Sequence, residues 1–156
     1  MANTFTSLTY HIVFSTKNRK PKIRKEFESD LYRYIAGIIR ENNGQLLEIG
    51  GVDDHIHILT GIRPTIAVSD LVRLIKANSS KWIKEEYANP FHPFGWQTGY
   101  SAFTVSESQC EFVREYIRHQ KKHHRKVSFR DEYLALLQKH KIEYDEQFVF
   151  DEENVA

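Results

Sequence analysis

The sequence predicts an α+β domain of the ferredoxin-like, split βαβ kind: one antiparallel sheet, helices on one face, and further helices at the C-terminus. Three observations predict it. Short β-branched and aromatic runs alternate with helix-period runs in the order β-α-β-β-α-β. The two middle strands are joined by Asp53-Asp54, a link that suits a hairpin. Helical sequence continues after the last strand. With 156 residues, 40% of them apolar and 28% charged, the chain is long enough to bury one real core.

Taken in order, LTYHIVFST (8–16) is rich in β-branched and aromatic residues and roughly alternates, as a half-buried strand does. A basic loop with Pro21 as breaker follows. Residues 26–43 place Phe27, Leu31, Tyr34, Ile35, Ile38 and Ile39 at helical spacing, and Asn43-Gly44 supplies a stop. Residues 45–52 and 55–62 form the hairpin, with Gly50-Gly51 read as flexibility at a strand end. After Pro64, Ser69 is a candidate cap for a helix over 70–87, with Leu71, Leu74, Ile75 and Trp82 on one side. NPFHPFGW reads as a loop and 96–106 as an aromatic strand. Ser106 then caps a helix over 107–124, and a last helix spans 129–141. The division expected is a domain of 1–140 and an acidic tail of 141–156. No internal repeat or low-complexity segment is present.

The net charge of +1 conceals an asymmetry. Residues 141–156 hold six acids and one base, a charge of −5, which leaves about +6 on the rest. The positive charge is also clustered. Residues 17–25 contain Lys17, Arg19, Lys20, Lys22, Arg24 and Lys25 with no acid, and residues 118–126 contain five bases, among them Arg118, Lys121 and Lys122, with three histidines. One such run reads as a solvated loop; two point to a polyanion. No stretch is long and apolar enough to span a membrane. The N-terminus lacks a basic start followed by an apolar run, so no signal peptide is expected. The lone Cys110 cannot form an internal disulfide. Together these point to the cytoplasm.

The sequence DDHIHIL interrupts an apolar strand with two histidines. A strand has period two, so His55 and His57 share one face and Ile56 takes the other. Two imidazoles side by side can hold a metal, or be two ordinary surface histidines. On the helix over 107–124, Tyr116 and Gln120 are four apart and share a side. By themselves they also fit a half-buried tyrosine beside a surface glutamine.

Read with WQTGYSAFTVS and VREYIRHQKKHH, these residues resemble the HUH-type single-tyrosine transposases of small bacterial insertion sequences and their domesticated relatives, the REP-associated tyrosine transposases. His55-Ile56-His57 matches the His-hydrophobic-His motif, and Tyr116-Ile117-Arg118-His119-Gln120 the Tyr-x-x-x-Gln pattern. The likeness runs from YHIVFSTKNRKP to about Tyr133. It implies Tyr116 as nucleophile, Mg²⁺ or Mn²⁺ held by His55, His57 and Gln120, and a 5′-phosphotyrosine formed on single-stranded DNA. It further implies DNA hairpins as partners, contacted by the two basic runs, and a homodimer in which one subunit's tyrosine helix completes the other's histidine pair. The chemistry is coherent. A neutral ligand set leaves positions open for phosphate and water. A phenol of pKa about 10 leaves far more readily than a sugar alkoxide.

Other readings fare less well. A histidine-triad nucleotide hydrolase needs a third alternate histidine where Leu59 stands, and a His-x-His-x-Asp-His metallo-hydrolase fails at Leu59-Thr60. A nucleic-acid-binding module of the same fold that does not cut is an alternative. So is a replication-initiation endonuclease, although those are usually larger. Tyr87, Tyr100 and Tyr133 lack a glutamine one turn on. His119 and His123 read as a solvated basic face, Asp53 and Asp54 as turn formers, and Lys76, Lys81 and Trp82 as residues within reach of DNA, with Trp82 better suited to the core.

Overall fold

The computed structural model describes residues 3–89 and 93–150. The middle of the NPFHPFGW loop and the acids Asp151, Glu152 and Glu153 of the expected tail lie outside the described residues. Four strands, β1 (Thr9–Ser15), β2 (Gln45–Gly51), β3 (His55–Gly61) and β4 (Ser101–Thr104), form one sheet in the order β2-β3-β1-β4. Every neighbouring pair is antiparallel. Together with helices α1 (Lys25–Glu41) and α2 (Val68–Glu86), this is the expected α+β, split βαβ arrangement.

Strand parity sorts the sheet into two faces. Ile12 and Phe14 of β1, with Ile56 and Ile58 of β3, point toward α1 and α2 and are fully buried among Phe27, Leu31, Ile35, Leu71 and Ile75. Full burial of each such side chain contributes roughly 1.5–3 kcal/mol. The helices are amphipathic at this spacing, so their packing on the sheet rather than intrinsic propensity holds them. Asn43 ends α1 in the left-handed conformation, with φ of 59°, and lets Gly44 N–H reach the Ile39 carbonyl at 2.9 Å. Trp82 is half-buried and stacks on Tyr34, with ring centroids 5.0 Å apart.

The opposite face carries His11, Val13 and Ser15 of β1 beside His55 and His57 of β3. The register pairs Val13 with His57 and Ser15 with His55. It is covered by α3 (Cys110–Arg118), the single turn α4 (Gln120–His123) and α5 (Phe129–Lys139). Val13, Phe103, Phe129, Tyr133 and Leu137 form a second core there, which Phe150 joins after the short α6 (Glu146–Val149). Among the described residues no helix is long and apolar enough to cross a membrane.

Several boundaries differ from expectation, each for a local reason. The last strand is Ser101–Thr104 rather than 96–106. Trp96 makes a single bridge to Thr16, and residues 97–99 are pinned by side chains: Gln97 Oε1 accepts from Ser15 N–H at 2.6 Å, and Lys76 Nζ donates to the Gln97 and Gly99 carbonyls at 2.8 and 2.6 Å. Lys76 is thus a structural tie. Ser69 lies inside α2, whose cap is Ala67, a residue with no side chain able to cap. Ser106 precedes a 3₁₀ turn over Glu107–Gln109, makes no capping bond, and its hydroxyl meets that of Ser108 at 3.3 Å. The helix expected over 107–124 is broken at His119 (φ −98°, ψ 20°). Ser128, not singled out in the sequence, caps α5 by accepting from Asp131 N–H at 3.2 Å.

Gly50 is a packing residue rather than a flexible one. A Cβ there would stand 2.8 Å from the Ile117 carbonyl oxygen and 3.1 Å from Ile117 Cγ2. The missing side chain is what lets α3 settle directly on β2. Gly50→Ala is therefore expected to destabilise the fold by about 1–3 kcal/mol, read as a lower urea midpoint. An unchanged midpoint would show that α3 does not rest on β2 at this distance.

Candidate active site

The site forms where the second face of the sheet meets α3, α4 and α5. β3 fixes His55 and His57 on one face, both fully buried. The connection from β4 through the 3₁₀ turn to α3 is short, and α3 folds back over β2 and β3 of its own chain. Tyr116 consequently stands with its ring centroid 5.7 Å from that of His57, and Gln120 Oε1 lies 3.1 Å from His55 Nε2. A site shared between two subunits was the expectation; here the tyrosine, the glutamine and both histidines meet within one chain.

Their meeting point is Glu132 of α5, which is buried. Its Oε1 lies 2.9 Å from His57 Nε2, 3.1 Å from His124 Nε2 and 3.3 Å from His55 Nε2. Its Oε2 accepts from the Tyr116 hydroxyl and from Gln120 Nε2 at 3.0 Å, with His123 Nε2 at 3.2 Å. Behind this ring stand outer partners. Asp54 Oδ1 is 2.7 Å from His55 Nδ1, and His11 Nε2 is 2.8 Å from His57 Nδ1. Asp54 therefore does more than turn the chain: it fixes an imidazole.

These contacts set the electrostatics. Burial alone would push His55 down, but hydrogen bonds with Asp54 and Glu132 outweigh it and raise the imidazole to about 9. Burial dominates at His57, which falls to about 4 despite Glu132. Burial would raise Glu132, yet the surrounding histidines, His124 foremost, hold its carboxyl well below the usual carboxylate range. Burial, then the Glu132 charge, keeps the Tyr116 phenol well above its ordinary value. The resting phenol is protonated and donates to a carboxylate that is ionised.

His55, His57, His124 and Glu132 each offer a ligand atom, and these atoms lie within 4.8 Å of one another. Imidazole nitrogen and carboxylate oxygen are the donors that divalent transition ions take. The site can hold such an ion.

The two basic runs adjoin although they lie far apart in sequence. Lys25, Lys121 and Arg125 flank one cavity of about 420 Å³ that reaches His124 and Asp54. Not every base there is free for a ligand. Arg24 pairs with Glu26 at 2.9 Å, Lys121 with Glu28 at 2.8 Å, and Arg118 with Glu48 and Glu115 at 2.9 and 2.7 Å. Arg19 lies over the Phe150 ring at 4.5 Å. Among the described residues no carboxylate lies within 4 Å of Lys17, Lys20, Lys22, Lys25 or Lys122. Of the histidines on the basic segment, His119 is exposed and bonds the Glu115 carbonyl at 2.7 Å, whereas His123 turns inward.

Reasoning from sequence missed Glu132, His11 and His124. Glu132 was detectable. It follows Phe129 by three residues and precedes Leu136 by four, so it lies on the apolar stripe of its helix, where an acid needs partners. His11 shares the parity of Val13 on a strand, which is a weaker signal.

Residues 4–120 match the family described as "Transposase IS200 like". The transposase of insertion sequence IS200 from Salmonella typhimurium strain LT2 is 30% identical over 128 residues, 77% of this chain and 81% of that protein. The ISDra2 transposase TnpA of Deinococcus radiodurans is 25% identical over 117 residues, 72% of this chain and 84% of that one. Two solved structures share the fold. A candidate transposase of Deinococcus radiodurans superposes with a TM-score of 0.63 at 24% identity, covering 77% of this chain and 95% of that one. A REP-associated tyrosine transposase bound to a REP hairpin gives 0.61 at 14% identity, covering 100% and 98%.

Proposed function

The chain belongs to the IS200-like transposase family, and on that premise we propose that it cuts and rejoins single-stranded DNA through a 5′-phosphotyrosine on Tyr116. One observation carries the reading: the Tyr116 hydroxyl and the imidazoles of His55 and His57 converge on the same buried carboxylate, Glu132. In the forward step the phenolic oxygen attacks the scissile phosphorus and its proton passes to Glu132 Oε2. The bond from phosphorus to the 3′ oxygen breaks, and that oxygen takes up one proton as it leaves, balancing the one the phenol gave up. Glu132 thus returns to its ionised form and a free 3′-hydroxyl is released. The reverse attack by a 3′-hydroxyl rejoins the strand and frees the phenol. His55 and His57, with Gln120 beside them, would hold Mg²⁺ or Mn²⁺. When bound, such an ion polarises and orients the phosphodiester. The desolvated pocket excludes water as a competing nucleophile.

The solved relative bound to a REP hairpin supports DNA hairpins as partners. The division into a unit of 1–140 and a tail of 141–156, and a homodimer in which each subunit carries its own complete site, belong to the same proposal. So does location in the cytoplasm.

A denaturing gel of the protein incubated with labelled hairpin-bearing single strands and Mn²⁺ tests the reading. A covalently shifted band is expected. DNA that is bound but never joined to protein would favour the alternative, a binding module that does not cut.

Phosphate contacts make binding salt-dependent, with a slope of about −0.7 per contact on single strands. Lys17, Lys20 and Lys22 lie together and free of acids. Replacing all three with alanine is expected to flatten the slope of log K against log salt by about 2. An unchanged slope would return this run to an ordinary solvated loop.

A further inference from the structure

A cavity of about 410 Å³ opens beside Tyr116. Its buried end is bordered by Glu132, and its exposed rim carries Phe112 of α3 and Lys139 of α5. Between them Phe103, Val113 and Leu136 make apolar walls. The volume suits a small ligand rather than a duplex. Phe112 is 63% exposed. A lone surface aromatic needs no explanation, but two features set this ring apart. It precedes Tyr116 by four residues, so it stands one turn away on the same side of the helix as the nucleophile. Lys139 Nζ lies 5.7 Å from its ring centroid, and among the described residues no carboxylate lies within 4 Å of that ammonium. An open aromatic face beside an unneutralised cation is what binds an unpaired nucleotide: the ring stacks on the base and the cation meets a phosphate.

The direction of attack says which nucleotide. In-line transfer puts the leaving oxygen opposite the attacking one. The strand that departs with its 3′-hydroxyl therefore leads away from α3. The nucleotide kept on Tyr116 stays beside the helix, one turn from Phe112. We infer that Phe112 is the stacking platform for the base of the first nucleotide on the 3′ side of the cut, with Lys139 on the phosphate that follows it. The inference rests on the cut-and-rejoin reading above and names the subsite that positions its substrate. Stacking there holds the scissile phosphate against the phenol before the cut. It then keeps the phosphotyrosyl nucleotide in place until a 3′-hydroxyl arrives. Only a base free of its pairing partner can lie on the ring, so the subsite favours a single strand.

Binding is measured on the full chain carrying Tyr116→Phe, so that no strand is cut. The probes are hairpin-bearing single strands with one abasic nucleotide placed at each position of the unpaired flank in turn. The cut position is read separately with the unaltered chain. Removing the base just 3′ of the cut, or making Phe112→Ala, should each weaken binding by about fivefold or more. Combined, they should cost no more than either alone to within about twofold, because the same contact is lost both ways. Phe112→Trp should keep the affinity within about threefold. Lys139→Gln should flatten the salt slope by about 0.7. A strand that is cut while the two losses add at every position overturns the inference alone. Coupling to the nucleotide on the 5′ side of the cut overturns it too. So does a Phe112→Ala chain that falls from dimer to monomer and binds each strand as before, since the ring then faces a second copy. Coupling at one position of a strand that the unaltered chain never cuts leaves the platform standing and overturns the cut-and-rejoin reading.

Discussion

Tyr116→Phe is expected to fold, to bind hairpin DNA as the unaltered chain does, and to form no covalent protein–DNA adduct. The substitution removes one oxygen. Glu132 loses one donor but keeps Gln120 and the histidines. Stability should therefore change by no more than about 1 kcal/mol. Cleavage should fall by at least about a thousandfold, about 4 kcal/mol of transition-state stabilisation. No other tyrosine is placed to take over. Tyr87 bonds Asp30 at 3.2 Å on the far side of the sheet, Tyr133 is buried and bonded to Ser101 at 2.5 Å, and Tyr100 sits beside Lys76. An adduct that persists in the variant removes Tyr116 as nucleophile.

The second large effect is at His57. His57→Ala should lose divalent-ion-dependent cleavage by at least about a hundredfold, while DNA binding measured without divalent ion stays within about threefold. Excess chelator should do the same to the unaltered chain, and Mn²⁺ should restore it. Because the structure completes the site within one chain, mixing Tyr116→Phe with His57→Ala subunits should leave activity at background, since every site then carries one lesion. Activity clearly above either variant alone, in verified mixed dimers, would mean that the tyrosine helix serves a neighbour. Cleavage that survives the chelator would remove the metal role.

The sheet was legible because its faces are written in period two. Ile12, Phe14, Ile56 and Ile58 alternate with His11, Val13, His55 and His57, and that alternation sets both the core and the site. Helix α1 was legible from its apolar spacing and from Asn43-Gly44. Less of the last strand and of the tyrosine helix was legible. Gln97 and Lys76 pin residues 97–99 through side-chain bonds that no local pattern encodes, and the helix breaks at His119 with no proline or glycine there to mark it. The histidine pair and Tyr116 could be found by motif. Glu132 could not, because it arrives from a separate helix 75 residues after His57 in sequence. Only its place on an apolar stripe marks it.

Mapping the covalent linkage tests the central claim most directly. The unaltered chain is trapped on a labelled single strand carrying a hairpin, in Mn²⁺, then digested, and the nucleotide-bearing peptide is sequenced by mass spectrometry. The account predicts a 5′-phosphate joined to Tyr116, on the peptide that begins after Arg114, with a free 3′-hydroxyl on the released strand. A nucleotide on Tyr87, Tyr100 or Tyr133, or cleaved strands with no nucleotide on any tyrosine, would contradict it.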